Sequence, residues 1–302
     1  MVDKNKKSLG LALGGGGLKG LAHIGVLQIL AEAGIEPQYL AGTSAGSVIA
    51  ALYASGINPY QMEEILQTIN PRDYLDYDVI GILQYICSFI LPFYRKELNG
   101  MMAGKKLEEL IYKLTGGRSL QEAKQKLAIM ACNIDTGQQV IFTNQGVDYE
   151  NESVVVITEA LLSEAVRCSS AIPAAFQPRL LRGMKMVDGG LKDMVPARAL
   201  RMMGADYILA INLSQPVYKN PVHGIPEIAS RSINILTYET SDTEERLFAD
   251  MLLFPGVGDV SLDDLSNADR IIRMGRRIMK ENILELLEAL KGGNNRSPSV
   301  SI

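Results

Sequence analysis

Tyr39-Leu40-Ala41-Gly42-Thr43-Ser44-Ala45-Gly46-Ser47-Val48-Ile49-Ala50-Ala51-Leu52-Tyr53-Ala54-Ser55 is the stretch around which the chain is organised. Tyr39 to Ala41 is a short apolar run that reads as a strand. Ser47 to Ser55 reads as a helix, closed by Gly56. Between them stands Gly-x-Ser-x-Gly. Strand, G-x-S-x-G and helix together make the setting of a nucleophile elbow, a strained turn that lifts a serine Oγ clear of the backbone. Glycines at 42 and 46 suit a turn too tight for side chains. An ordinary tight turn capped by Ser44 or Ser47 fits the same residues. The rest of the chain has to decide.

Upstream, Ser8 to Leu13 is a compact apolar run, read as a buried first strand. Gly14-Gly15-Gly16-Gly17-Leu18-Lys19-Gly20 follows, then a helix from about Leu21 to Ala33, ended by Gly34. The first fifty residues therefore form a β-α-β-α unit, and a right-handed crossover lays its strands parallel and adjacent. Gly15, Gly17 and Gly20 satisfy G-x-G-x-x-G, so a dinucleotide site has to be weighed. Such a site wants an acidic residue at the end of the second strand. Gly42-Thr43-Ser44 stands there instead. The loop N–H groups, at a helix amino terminus, are better suited to a developing oxyanion beside Ser44.

Downstream, Asn58-Pro59 starts a helix (60–69), and Asn70-Pro71 stops it. Val79 to Phe93 is mostly apolar but too short to span a bilayer. It is either a buried helix or a lid that touches lipid. Lys105 to Leu114 is amphipathic. Leu127–Ile134 and Gln138–Thr143 pair around an Asp135-Thr136-Gly137 turn. Thr158 to Cys168 is a helix, and Met184 to Val187 is a strand delivering Asp188-Gly189-Gly190. A helix begins at Val195-Pro196, and Tyr207–Leu213 is another buried strand. Pro226 to about Phe254 and Asn267 to Leu290 read as helical. With no repeat and no long linker, residues 1–291 read as one domain. The Gly/Asn/Ser-rich tail, 292–302, reads as disordered.

Composition narrows the function classes. In 302 residues, 47% are hydrophobic and the net charge is −4, which supports a sizeable core and argues against nucleic acid as a partner. Cys87, Cys132 and Cys168 are odd in number and set in apolar surroundings, as expected of reduced cysteines in a cytoplasmic protein. No His/Cys spacing suggests a metal. No signal peptide or membrane-spanning run is visible.

A serine nucleophile needs a base. The chain has two histidines. His23 precedes the serine and reads as structural; His223, in a loop, alone has the chain order of a hydrolase triad. Asp188 is the better candidate. It ends a strand, two glycines after it allow close approach, and an aspartate held near the serine and partly desolvated can take the proton directly.

These motifs together resemble the patatin-like phospholipases, and in particular their compact bacterial members. The resemblance rests on Gly14–Gly20 with His23-Ile24-Gly25-Val26-Leu27, on Gly42–Gly46, on Ser169-Ser170-Ala171-Ile172-Pro173 with Phe176 and Pro178, and on Asp188-Gly189-Gly190. It covers about Leu9 to Leu213. It implies a three-layer α/β/α sandwich with a mainly parallel sheet, and a hydrolase using a Ser–Asp dyad. Ser44 would be nucleophile and Asp188 base, with Gly15, Gly16 and Gly17 around the oxyanion hole. Lys19, Gly20, Gly42, Gly46, Gly189 and Gly190 would support them. Lys19 stands where the family often has Arg, a point charge in place of a planar fork. Gly190 stands where many members have Ala. The implied substrate is a lipid or lysophospholipid ester, met at a membrane surface or in solution, with no metal or organic cofactor. The rival is a regulatory module whose glycine loop grips a nucleotide or phosphate.

Overall fold

The computed structural model describes residues 7–81, 83–84, 97–146, 152–214, 221–224, 228, 231–233, 235–237, 245–258, 260–292 and 299–301. The expected opening unit is present: strand β1 (Leu9–Leu13), a 3-10 turn (Gly17–Leu21) running directly into helix α1 (Ala22–Glu32), strand β2 (Tyr39–Thr43) and helix α2 (Ala45–Ala54). Two short helices that start at Asn-Pro pairs follow, α3 (Pro59–Leu66) and α4 (Pro71–Tyr74), then α5 (Lys105–Leu114). The hairpin forms as β3 (Lys126–Asn133) and β4 (Gln139–Thr143). After it come β5 (Val154–Ile157), α6 (Leu162–Ser169), β6 (Arg179–Leu181), β7 (Met184–Asp188), α7 (Ala197–Met202) and β8 (Tyr207–Ile211). The chain ends with β9 (Met251–Leu253), the long helix α8 (Ala268–Leu290) and β10 (Ser299–Ser301).

All ten described strands join one sheet, in the order β10-β9-β8-β1-β2-β3-β4-β5, with β7 on β3 and β6 on β7. Every neighbour from β10 to β3 is parallel; β3–β4, β3–β7 and β6–β7 are antiparallel. The expected mainly parallel sheet with flanking helices is therefore what forms. Alternation along β1 assigns its faces. Leu9, Leu11 and Leu13 pack with α1, α2 and α8, while Ala12 packs with Ala197, Ala199 and Leu200 around α7. Helices α1 and α8 touch backbone to backbone. A Cβ on Gly25 would lie 2.1 Å from the Ile272 carbonyl oxygen, and one on Gly275 1.9 Å from that of Ala22.

The register of β3 fixes what the fold brings together. A strand has two edges, and β4 takes one of them. On the other, β2 ends with Thr43 opposite Met130, and β7, running the opposite way, takes over with Asp188 opposite Ala131. The two strands meet end to end. Ser44 and Asp188 are thereby neighbours in space across 144 residues of sequence.

Three expectations change. Met251–Leu253, read as the end of a helix, is a strand parallel to β8, because its three apolar side chains bury in the sheet. Val79, Ile80 and Leu83 are exposed (58%, 70% and 56%), so the described start of Val79–Phe93 is not buried core. The remainder of that stretch, residues 82 and 85–93, lies outside the described residues. In the tail, Ser299–Ser301 pairs with Met251–Leu253, which adds an edge strand to a segment read as disordered. Cys132 and Cys168 are buried free thiols, and Cys87 lies outside the described residues. No helix among the described residues is long and apolar enough to cross a membrane.

Candidate active site

Ser44 sits at φ 53°, ψ −122°, a conformation that costs a non-glycine residue on the order of 1–3 kcal/mol and persists only where its surroundings enforce it. Here the enforcement is visible. A Cβ on Gly46 would lie 2.0 Å from the Leu13 carbonyl oxygen, and one on Gly42 2.6 Å from that of Gly46. The turn is thus pressed onto the end of β1. The Ser44 N–H donates to Ser169 Oγ at 2.9 Å, and its carbonyl accepts from Ser47 Oγ at 2.6 Å. Thr43 Oγ1 donates to the Asp193 carbonyl at 2.8 Å, fastening the strand end as well. Ser47 is therefore a brace within the turn. Ser169, which sequence reasoning noted in a motif without giving it a role, is the acceptor that fixes the Ser44 backbone.

Asp188 is 7% exposed and Ser44 5%. The Gly190 N–H donates to the Asp188 carboxylate at 2.8 Å, and the Ser44 side chain is near enough to help stabilise its charge. Both favour the charged form, but desolvation by burial outweighs them and raises the Asp188 pKa from 3.8 to about 6. The glycines after Asp188 are there for close approach. A Cβ on Gly189 would lie 2.2 Å from the Met130 carbonyl oxygen, and one on Gly190 2.7 Å from Met194 Cε. Met194 occupies the room left by the missing methyl.

The glycine loop divides its donors. Gly14 N–H donates to Ile211 at 3.0 Å and Gly15 N–H to the Met194 carbonyl at 3.1 Å. Gly15 was expected to offer its N–H to an oxyanion, and that N–H is spent on holding the loop. Gly16 and Gly17, at φ 154° and 60°, donate to no carbonyl among the described residues. They open the turn that leads into α1, where the helix dipole favours negative charge.

His23 is fully buried, and its Nε2 lies 2.8 Å from the Gly14 carbonyl. A carbonyl only accepts, so Nε2 carries the proton. Desolvation lowers the His23 pKa to about 4, which keeps the ring neutral as a support for the loop. His223 is exposed, in the segment 221–224.

Two cavities meet at Ser44, sharing Gly17, Ile172 and Leu262 in their walls. One, of about 170 Å³, is lined by apolar side chains from α2, α3 and α5, among them Val48, Ile49, Leu52, Ile65 and Leu110. The other, of about 490 Å³, holds Gly15, Gly16, Lys19, Asp188, Met194 and Arg231. The arrangement can do nucleophilic chemistry on a carbonyl placed at the junction. An apolar arm of the substrate would lie to one side and a polar one to the other.

The model of the patatin-like phospholipase family matches residues 11–201. An uncharacterised NTE family protein of Mycobacterium tuberculosis is 24% identical over 231 residues, covering 76% of this chain and 56% of that protein. Lysophospholipase NTE1 of Scheffersomyces stipitis is 24% identical over 220 residues, covering 72% of this chain and 12% of that protein. The chain thus spans about half the length of the mycobacterial relative and about an eighth of the fungal one. Among solved structures, VipD from Legionella pneumophila aligns with a TM-score of 0.47 and 14% identity over 95% of this chain and 67% of that one.

Proposed function

The chain belongs to the patatin-like phospholipase family, whose model matches residues 11–201, and from that premise we propose that it is a serine hydrolase of lipid acyl esters, lysophospholipids in particular, working through a Ser44–Asp188 dyad. The observation that carries the reading is the end-to-end meeting of β2 and β7 on β3, which sets the Ser44 hydroxyl against the Asp188 carboxylate. The acyl chain enters the apolar cavity and the rest of the ester lies in the larger one. A single apolar arm fits a monoacyl substrate.

In the first half-reaction Asp188 takes the Ser44 proton as Oγ bonds to the ester carbonyl carbon. The Gly16 and Gly17 N–H groups stabilise the oxyanion, with the helix dipole behind them. The carbon–oxygen bond to the leaving alcohol then breaks, and Asp188 returns the proton to that alcohol. In the second half-reaction Asp188 takes a proton from water, whose oxygen attacks the acyl carbon. Collapse releases the carboxylic acid and gives the proton back to Ser44. With a pKa of about 6, Asp188 is mostly ionised at pH 7 yet far more basic than an exposed aspartate.

Labelling by a fluorophosphonate tests the dyad, since it needs an activated serine. Wild type and His223→Gln should label and turn over p-nitrophenyl hexanoate at similar rates. Ser44→Ala and Asp188→Asn should do neither, because members of a joint unit each remove most of its effect. If wild type fails to label, the phosphate-binding alternative gains. If His223→Gln loses about a thousandfold, the base is an imidazole.

A further inference from the structure

The two cavities meet where the chemistry happens. Gly17, Ser44, Ile172 and Leu262 line both of them. Ile172 and Leu262 are bulky and apolar, so the passage beside Ser44 is a neck with these two side chains as its posts. Leu262 is set there by packing. Its Cδ2 lies 2.8 Å from where a Gly17 Cβ would be, and so fills the room that the glycine leaves on the loop. It is also set there by a hydrogen bond: the Tyr74 hydroxyl donates to the Leu262 carbonyl at 2.8 Å, across 188 residues of sequence. Burial, with the Asp263 charge adding to it, pushes the Tyr74 phenol up to about 12, so the donor keeps its proton. Tyr74 ends α4, which Lys106 ties to α5 by donating from Nζ to the Arg72 carbonyl at 2.7 Å. On its other side, the Leu262 segment is fastened to the start of α8. There Asp264 accepts from the Ser266 N–H at 3.1 Å and from Asn267 Nδ2 at 2.8 Å. Ile172 is held through its carbonyl, which accepts from the Phe176 N–H at 2.8 Å.

An acyl group on Ser44 has its α-carbon two bonds from Oγ. That carbon therefore lies in the neck whatever the length of the chain beyond it. A substituent on it has to fit between the two posts and the glycine loop, and an extra methyl forced against packed side chains is disfavoured about tenfold or more. We propose that the neck selects acyl esters unbranched at the α-carbon, with Leu262 as the specificity-determining residue and Tyr74 as the positioning residue that holds it. The inference rests on the acyl-ester hydrolase reading of the same site. Position of the branch, not size of the acyl group, is what the neck reads.

The probes are two isomers, p-nitrophenyl 2-methylpentanoate and p-nitrophenyl 4-methylpentanoate. They carry the same number of carbons and differ in where the branch lies. Each kcat/KM is divided by the rate of the same ester with hydroxide, which removes the intrinsic effect of the α-methyl. In wild type, the corrected value for the 4-methyl isomer should exceed that for the 2-methyl isomer about tenfold or more. Leu262→Ala opens the neck and should bring the two within about threefold, whereas Leu262→Met, of similar volume, should keep most of the preference. Tyr74→Phe keeps the ring and removes the hydroxyl. Freeing the Leu262 carbonyl should cut the preference about threefold or more, through a rise in the 2-methyl isomer relative to the 4-methyl one. A merely structural role for either residue would lower both isomers together and leave their ratio where it was. The inference is overturned if wild type treats the corrected isomers alike, if the preference survives Leu262→Ala, or if Tyr74→Phe leaves the ratio unchanged. A wild type that neither labels with a fluorophosphonate nor turns over p-nitrophenyl hexanoate would sink the hydrolase reading instead.

Discussion

At the scale of the residue, the site is held in place against its own energetic preferences. Ser44 is kept in a strained backbone conformation, and Asp188 is kept out of water. An acid whose folded pKa, about 6, lies above its unfolded value, near 3.8, binds its proton more tightly when folded. Its contribution to stability is complete below about pH 4 and is lost as pH rises through 6. At pH 8 the ionised carboxylate costs up to about 3 kcal/mol, two pKa units at 1.36 kcal/mol each. Asp188→Asn should therefore melt higher than wild type at pH 8, with the gap closing toward pH 4. A variant that melts lower by the same amount at both pH values would show that burial does not strain this carboxylate. The same group sets the rate profile. Because the base must be ionised, kcat/KM for p-nitrophenyl hexanoate should be flat above about pH 7 and fall about tenfold per unit below 6. A profile unchanged down to pH 5 would exclude Asp188 as the base.

At the scale of the element, what the sequence makes legible is what repeats or punctuates locally. β1, β2 and α2 announce themselves through apolar runs bounded by glycines, and the β3–β4 hairpin through Asp135-Thr136-Gly137. Gly42, Ser44, Gly46 and Asp188 could be named because the turn chemistry is written in the residues themselves. β9 could not be, since three apolar residues carry no period. Nor could the role of Gly15, whose N–H answers to a carbonyl 179 residues away. The close packing of the elbow makes a prediction at this scale. Gly46→Ala drives a methyl into the Leu13 carbonyl, backbone against backbone, and should cost about 4 kcal/mol or more, enough to prevent folding or abolish cooperative melting. Gly34→Ala is the control. It adds a methyl with nothing within 4 Å, at φ 65°, and should cost only about 1–2 kcal/mol. Gly46 has no positive φ, so a Gly46→Ala cost no larger than that of Gly34→Ala would show that the contact with Leu13 is not what the elbow depends on.

At the scale of the whole molecule, the parallel strands β1 and β2 deliver the glycine loop and the elbow to one end of the sheet, where open α/β sheets bind ligands. Antiparallel β7 brings Asp188 to the same end from the opposite direction. The helices α2, α3 and α5 line the apolar cavity beside Ser44, and under the proposed reading that cavity takes the acyl chain. An apolar cavity of about 150 Å³ holds a benzene ring. At about 170 Å³, this one should be filled by about six carbons. Each methylene buried is worth about 0.8 kcal/mol, roughly fourfold in kcat/KM, until the cavity is full. Across p-nitrophenyl esters the specificity should therefore climb from acetate to about hexanoate and then level. Val48 lies one helical turn after Ser44 and lines the cavity, half-buried. Val48→Phe puts a ring where the chain would go. It adds apolar contact and should not lower the melting temperature. Hexanoate and octanoate should fall about tenfold or more against it, while acetate stays within about twofold. A uniform fall across the series would place Val48 off the acyl path, and an octanoate rate untouched by the ring would show that the chain binds elsewhere.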